Sequence, residues 1–349
     1  MGSPRRDVSH DLAPPSIAPQ QSRGPRPLPL FVELLRQVAA RDPELGQKAL
    51  EGLRRYQVAP PPPPRRNRPV VHSVHGTSLR DCGGSGPAVV LVPSLINPPT
   101  ILDLDPACSL ADALAVQHRV LLLDWGVAAE RKDLSLGGHV AHRLVPLIEA
   151  AGPVTLIGYC LGGTLALAAA SGNSQVEAVV TLASPYRFAA YDDGARKQLL
   201  RLWKTSEAAA EQLGFLPMEV LQAAFWQIDP GRLMAKFARF VDADPTLPEA
   251  QRFIAMEEWA NSGEPLPLPA ARQMVEQLFG ADVALAPLPT CPMLHVTAAG
   301  DRIVPAATAA AGQQISSPSG HVGMIVGRDA PRTLHAPLLS WLEGAARGR

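Results

Sequence analysis

The stretch Ile157-Gly158-Tyr159-Cys160-Leu161-Gly162-Gly163 sets a cysteine between glycines, where an apolar run (153–157) gives way to a small-residue helical pattern (164–171). A nucleophile presented on a sharp strand-to-helix turn needs this spacing, because Gly158 and Gly162 let neighbouring backbones pass closely. A cysteine attacks acyl groups as the thiolate, and a free thiol with a pKa of about 8.5 needs a base to form it. His321 lies in the glycine-flanked loop Pro318-Ser319-Gly320-His321-Val322-Gly323, and Asp301 in Ala299-Gly300-Asp301-Arg302-Ile303-Val304-Pro305. Each alone has a bland explanation, a loop histidine or a turn-opening aspartate. Together they form a nucleophile, a base and a carboxylate that orients the base. The Leu161 amide, at the start of the helix, would face a developing oxyanion. A second donor is expected from Pro93-Ser94-Leu95-Ile96-Asn97: the Leu95 amide, with Ile96 as the alternative.

These residues need a scaffold that brings distant loops to one edge. From Val70 onward, strand-like runs alternate with helical ones. Strands are expected at 70–74, 88–92, 119–123, 154–157, 178–182, 293–296 and 314–316, and helices at 109–116, 139–150, 160–170 and 331–345. Such alternation implies an α/β fold with a mostly parallel, doubly wound sheet and its ligand site at the carboxyl edge. The chain order Cys160, Asp301, His321 is the order of the α/β-hydrolase fold and of neither other common triad. Residues 184–286 break the alternation with helical patterns at 196–213, 218–228, 233–240, 249–260 and 270–279. An all-helical block inserted between two strands reads as a cap over the active edge. Most of its aromatics (Trp203, Phe225, Trp226, Phe237, Phe240, Phe253, Trp259) are expected in the cap's own core, with one or two lining an acyl channel. The core is thus assigned to 70–183 and 287–349. Residues 1–27, rich in Pro, Arg and Ser, are expected to be disordered. Residues 28–69 form a short helical arm ending in a polyproline spacer, Pro60–Pro64, with docking on the core or on a partner both open.

Composition narrows the classes. Lys and Arg total 32, as do Asp and Glu, so no electrostatic footprint for nucleic acid or an anionic membrane is present. No apolar stretch of about 20 residues appears, and no apolar segment follows Arg5-Arg6, so neither a membrane span nor a signal peptide is expected. Cys82, Cys108, Cys160 and Cys291 show no paired spacing, which favours free thiols and a cytoplasmic location. His72, His75, His139, His142 and His295 offer no metal-ligand spacing, and no metal or cofactor is expected. Gly83-Gly84-Ser85-Gly86 precedes a strand and reads as a turn, not a phosphate loop.

The choice of sulfur bears on the substrate. Exchange between a thioester and an enzyme thiol is near energy-neutral, and the acyl-enzyme keeps enough free energy to form an oxygen ester. Transfer from an acyl-coenzyme A to a hydroxyl group is therefore expected. Thioester hydrolysis is the alternative that the residues leave open.

At this level of detail the chain resembles the polyhydroxyalkanoate synthases, in particular the short, class III-like catalytic subunits that work with a separate subunit. The likeness rests on five loops and a cap segment. The loops are Val92-Pro93-Ser94-Leu95-Ile96-Asn97 with Ile101-Leu102-Asp103-Leu104, Leu122-Leu123-Asp124-Trp125-Gly126, Gly158 to Thr164, Asp301 to Pro305, and Ser319 to Gly323; the cap segment is Ala255-Met256-Glu257-Glu258-Trp259. The resemblance implies polymerisation of (R)-3-hydroxyacyl groups from coenzyme A onto a growing polyester carried on Cys160, with His321 as base and Asp301 orienting it. It implies substrate contacts at Ile96, Asn97 and Trp259. It also implies a homodimer, a second synthase subunit as partner, and residence at a polyester granule surface. A thioesterase or intracellular polyester depolymerase of the same fold is the alternative. Two features depart from the family: Arg302 follows the acid where the family has histidine, and Asp301 and His321 are close in sequence, as if a helix between them were trimmed.

Overall fold

The computed structural model describes residues 23–347, and its centre is one eight-stranded sheet. The strands are β1 (Val70–Val74), β2 (Thr77–Gly83), β3 (Ala88–Val92), β4 (Arg119–Asp124), β5 (Val154–Tyr159), β6 (Val176–Leu182), β7 (Met293–Ala298) and β8 (Gln313–Ser317). Their spatial order is β1-β2-β4-β3-β5-β6-β7-β8, parallel from β4 onward and antiparallel at β1–β2 and β2–β4. β2 is an addition to the expected strands. Its sequence, Thr-Ser-Leu-Arg-Asp-Cys-Gly, carries too few apolar residues to announce a strand, and it is held by its two antiparallel neighbours.

Burial on both faces explains why the inner strands are continuous apolar runs. Val90, Val92, Leu121, Leu156 and Val179 pack against the composite helix α4 (136–151) and α5 (Leu161–Ala170). Their alternates Val89, Leu91, Val120, Leu122, Ile157 and Val180 pack against α3 (Leu110–Ala115) and α11 (Ala336–Arg347). Helices thus cover both faces, and the loops at the carboxyl ends of β3, β5, β7 and β8 open toward the inserted block.

That block holds α6 (Asp193–Leu213), α7 (Met218–Ile228), α8 (Pro230–Phe240), α9 (Pro248–Asn261) and α10 (268–280). It is not wholly helical, since Phe215–Leu216 and Leu266–Pro267 pair as a two-residue antiparallel ribbon. Upstream, α1 (Leu28–Ala39) and α2 (Pro43–Val58) lie on this block rather than on the sheet. Phe31 and Tyr56, almost fully buried, set their rings 5.0 and 6.0 Å from that of Phe237 on α8. Gly52 of α2 is in such close contact with α8 that a Cβ there would lie 1.9 Å from the Phe237 carbonyl oxygen. The proline-rich stretch then crosses to the core, where Arg66 and Arg68 pair with Asp112, and Arg68 also with Asp103.

Of the segment expected to be disordered, residues 1–22 lie outside the described residues. Residues 23–27 are placed: Arg23 pairs with Glu258 and Arg26 with Glu219, which ties them to the cap. Ion pairing to the cap fixes these five residues despite their polar composition.

Candidate active site

The turn between β5 and α5 is strained in the way that the glycines foretell. Cys160 has φ 55° and ψ −130°, a region that non-glycine residues rarely occupy. A Cβ on Gly158 would lie 2.3 Å from the Gly163 Cα, and one on Gly162 would lie 2.2 Å from the Val92 carbonyl oxygen. Strand β3 and helix α5 therefore meet without side chains between them. The Cys160 amide is spent on Leu182 O at 2.9 Å. Leu161 opens α5, where the first amides have no partner within the helix.

Asp301 and His321 converge from the ends of β7 and β8. His321 Nδ1 lies 2.7 Å from Asp301 Oδ2, while Asp301 Oδ1 accepts from the amides of Ile303 (2.8 Å) and Val304 (2.9 Å). The carboxylate, with its side chain fully buried, is thereby fixed at both oxygens. Main-chain bonds from Ala299 to Ser317 O (2.8 Å) and from Gly300 to Ser319 O (2.9 Å) zip the two loops together. Only the three-residue turn Ala306–Thr308 lies in the crossover between β7 and β8, which is how so short a segment spans acid and base.

On its other side His321 faces Cys160, with which it lines one cavity, and the charge of the sulfur acts on the imidazole. Burial disfavours the imidazolium, but the negative charges of Cys160 and Asp301 together outweigh it and raise the His321 pKa to about 10. Tyr159 adds a third support. Its hydroxyl donates to the His321 carbonyl oxygen at 3.3 Å, and the two rings lie 5.0 Å apart. Burial, then the charges of Cys160 and Asp301, push the Tyr159 hydroxyl well above its usual pKa, so it remains a donor. Sequence reasoning gave Tyr159 no role. Its position beside the nucleophile was the only available signal.

The loop after β3 is braced from two directions. Trp125 Nε1 donates to Pro93 O at 3.0 Å from the core, and Trp259 Nε1 to Pro98 O at 2.9 Å from the cap. Asn97 Nδ2 reaches Ala260 O at 3.4 Å, and the Glu264 amide reaches Ile96 O at 3.0 Å. Within the loop the Ile96 amide donates to Ser94 Oγ at 3.4 Å, which favours Leu95 over Ile96 as the amide left for an oxyanion. Trp259, expected as a substrate contact, is thus also a strut.

Above Cys160 and His321 lies a cavity of about 420 Å³. Ile96, Asn97, Phe225, Trp226, Met256 and Trp259 line it, whereas the Leu95 side chain is buried in the core. Phe237, Phe240 and Phe253 instead pack beneath the arm, and Trp203 joins the core cluster. Arg302 leaves the acid loop to pair with Asp229, the N-cap of α8, at 2.6 Å, joining core to cap. Among the described residues no group of His, Cys, Asp and Glu could hold a metal ion. His139 and His295 are buried structural residues bonded to Ser135 O and Thr181 Oγ1. No described helix is long and apolar enough to cross a membrane.

Comparison with known proteins agrees with this fold. The model of the α/β hydrolase family matches residues 74–341. The poly(3-hydroxyalkanoate) polymerase subunit PhaC of Allochromatium vinosum is 26% identical over 289 residues, covering 73% of this chain and 80% of that protein. The subunit of the same name from Thiocystis violacea is 24% identical over the same shares. Among solved structures, a mutant epoxide hydrolase from Bacillus megaterium superposes with a TM-score of 0.54 at 14% identity, over 78% of this chain and 99% of that one, a likeness of fold.

Proposed function

The chain belongs to the α/β hydrolase family, and from that premise we propose that it is a cysteine acyltransferase polymerising (R)-3-hydroxyacyl groups from coenzyme A into polyester. The observation that carries the proposal is a cysteine on the strained turn that shares one cavity with a histidine itself held by a buried carboxylate. The curated relatives named as poly(3-hydroxyalkanoate) polymerase subunits supply the substrate class.

In this reading His321 Nε2 takes the Cys160 proton, and the sulfur attacks the thioester carbonyl. The resulting oxyanion is held by the amides of Leu161 and Leu95. Collapse of the tetrahedral species breaks the carbon–sulfur bond to coenzyme A, whose thiolate leaves with the proton from His321. In the second half-reaction His321 takes the proton of a 3-hydroxyl group, whose oxygen attacks the acyl-cysteine. The new oxygen ester forms, and the Cys160 sulfur is released and reprotonated by His321. Asp301 fixes the ring's orientation throughout and does not itself take the proton. A homodimer, a second synthase subunit, and a cytoplasmic, granule-associated location belong to the same reading.

The experiment is mass analysis of the products formed by the purified chain from (R)-3-hydroxybutyryl-coenzyme A. Oligomeric hydroxyacyl esters released together with coenzyme A are expected. Coenzyme A accompanied only by free hydroxyacid would make the chain a thioesterase, and soluble monomer from preformed polyester a depolymerase.

A further inference from the structure

Helix α8 divides its residues between two tasks. Leu233, Met234, Phe237 and Phe240 belong to the cluster gripped by the amino-terminal arm. Arg232, Lys236 and Arg239, spaced i, i+4 and i+7, form a stripe along the cavity wall. A stripe of this kind on an exposed helix ordinarily faces bulk water, but this one faces the same cavity as Cys160.

The cavity's own carboxylates are already committed. Asp229 spends one oxygen on the Arg232 amide at 2.9 Å, as helix cap, and the other on the Arg302 guanidinium at 2.6 Å. Glu257, nearly buried, holds Lys236 at 2.6 Å. Among the described residues no carboxylate pairs with the guanidinium of Arg232 or Arg239, and both side chains are exposed. Four cations therefore meet two carboxylates along this wall, on a chain whose formal net charge is zero. Arg232 also packs over the base loop, with a Gly320 Cβ position 3.1 Å from its Nη2. The uncompensated charge thus sits beside the reacting groups, at the mouth of a cavity whose interior is mostly apolar.

We infer that Arg232 and Arg239 form an anion subsite that takes the phosphate groups of the acyl donor, while the apolar interior takes the acyl chain. This deepens the reading above and rests on it for the identity of the donor. Two guanidinium forks at a solvent-facing mouth suit a diphosphate or phosphomonoester. They gain charge-assisted hydrogen bonds there without the desolvation that a buried site would impose. Two α-helical turns separate the arginines, so one fork can engage a diphosphate while the other engages a second phosphate on the same carrier. The uncompensated charge also attracts a polyanionic donor toward the mouth before contact.

The test compares wild type with Arg232→Gln, Arg239→Gln and the double variant on two donors. One is (R)-3-hydroxybutyryl-coenzyme A. The other carries the same acyl group on N-acetylcysteamine, which keeps the thioester but lacks every phosphate. The ratio of kcat/KM for the first donor over the second is expected to fall about tenfold for each guanidinium removed, mostly through KM. Raised salt should depress the wild-type ratio and leave that of the double variant nearly flat. An unchanged ratio in the double variant overturns the subsite, whether both donors decline together or neither does. Calorimetric titration with free coenzyme A separates this inference from the reaction. Weakened binding in the double variant supports the subsite even if no polymer forms in any variant, whereas undiminished binding overturns it even if polymer is made.

Discussion

On the floor of the cavity, Cys160, Asp301 and His321 are fixed by main-chain geometry, while on its roof Phe225, Trp226 and Arg232 are fixed by helix packing against helix. The floor depends on backbone bonds between β7 and β8, on glycine contacts at the elbow, and on a carboxylate satisfied by two amides. The roof depends on aromatic clusters shared between α7, α8, α9 and the arm. A substitution on the floor should therefore strike the chemical step. One on the roof should strike binding or stability and leave the chemistry intelligible.

The largest effect is expected at Cys160→Ala, which removes the acyl-carrying atom. Turnover should fall on the order of 10⁶-fold, to background, with no covalent adduct seen by intact-protein mass spectrometry. A residual adduct would mean that another residue carries the acyl group. Asp301→Asn comes next, because the ring loses its charged partner while the elbow is untouched. A loss of about 10²- to 10⁴-fold in kcat is expected, with KM little changed. The same variant removes a negative charge that favours the imidazolium, so the His321 titration midpoint should move down from about 10 when followed by nitrogen-15 NMR. A midpoint that stays in place would break the link between Asp301 and the base.

For the roof, Phe237→Ala should cost about 3–5 kcal/mol in denaturant unfolding, since it empties the junction of arm and cap. Its effect on kcat at saturating donor should be small beside that of Asp301→Asn. The reverse order would erase the distinction between the two walls. The smallest effect is expected at Trp259→Phe, which keeps an aromatic ring and loses the bond to Pro98 O. A few-fold drop in kcat through a looser oxyanion loop, with about 1 kcal/mol of stability lost, is the expected result. A change confined to KM would make Trp259 a substrate contact and not a strut.

The floor was legible in the sequence because its chemistry is local. Glycines bracket Cys160 and His321, and each reacting residue follows a strand. Strands β1 and β3 have the expected bounds, and in β3 the apolar residues are contiguous. β2 escaped because its pairing partners, not its composition, make it a strand. Most cap helices could be read from periodicity, but not which face each turns inward. The apolar stripe of α8 would ordinarily be assigned to the core beneath the cap. The arm takes it instead and leaves the arginine stripe to the cavity. Tyr159 was silent for a similar reason, since its hydroxyl contacts a carbonyl 162 residues away.

The docking of α1 and α2 on α8 has a mechanical corollary. With Phe31, Tyr56 and Gly52 clamped to the back of α8, the helix cannot tilt as a light flap on its own two loops. Any widening of the cavity must carry the arm along, against the ion pairs that Arg66 and Arg68 make with the core. The two-helix arm therefore acts as ballast on the doorway, making access for a bulky acyl chain depend on a segment that touches no reacting atom.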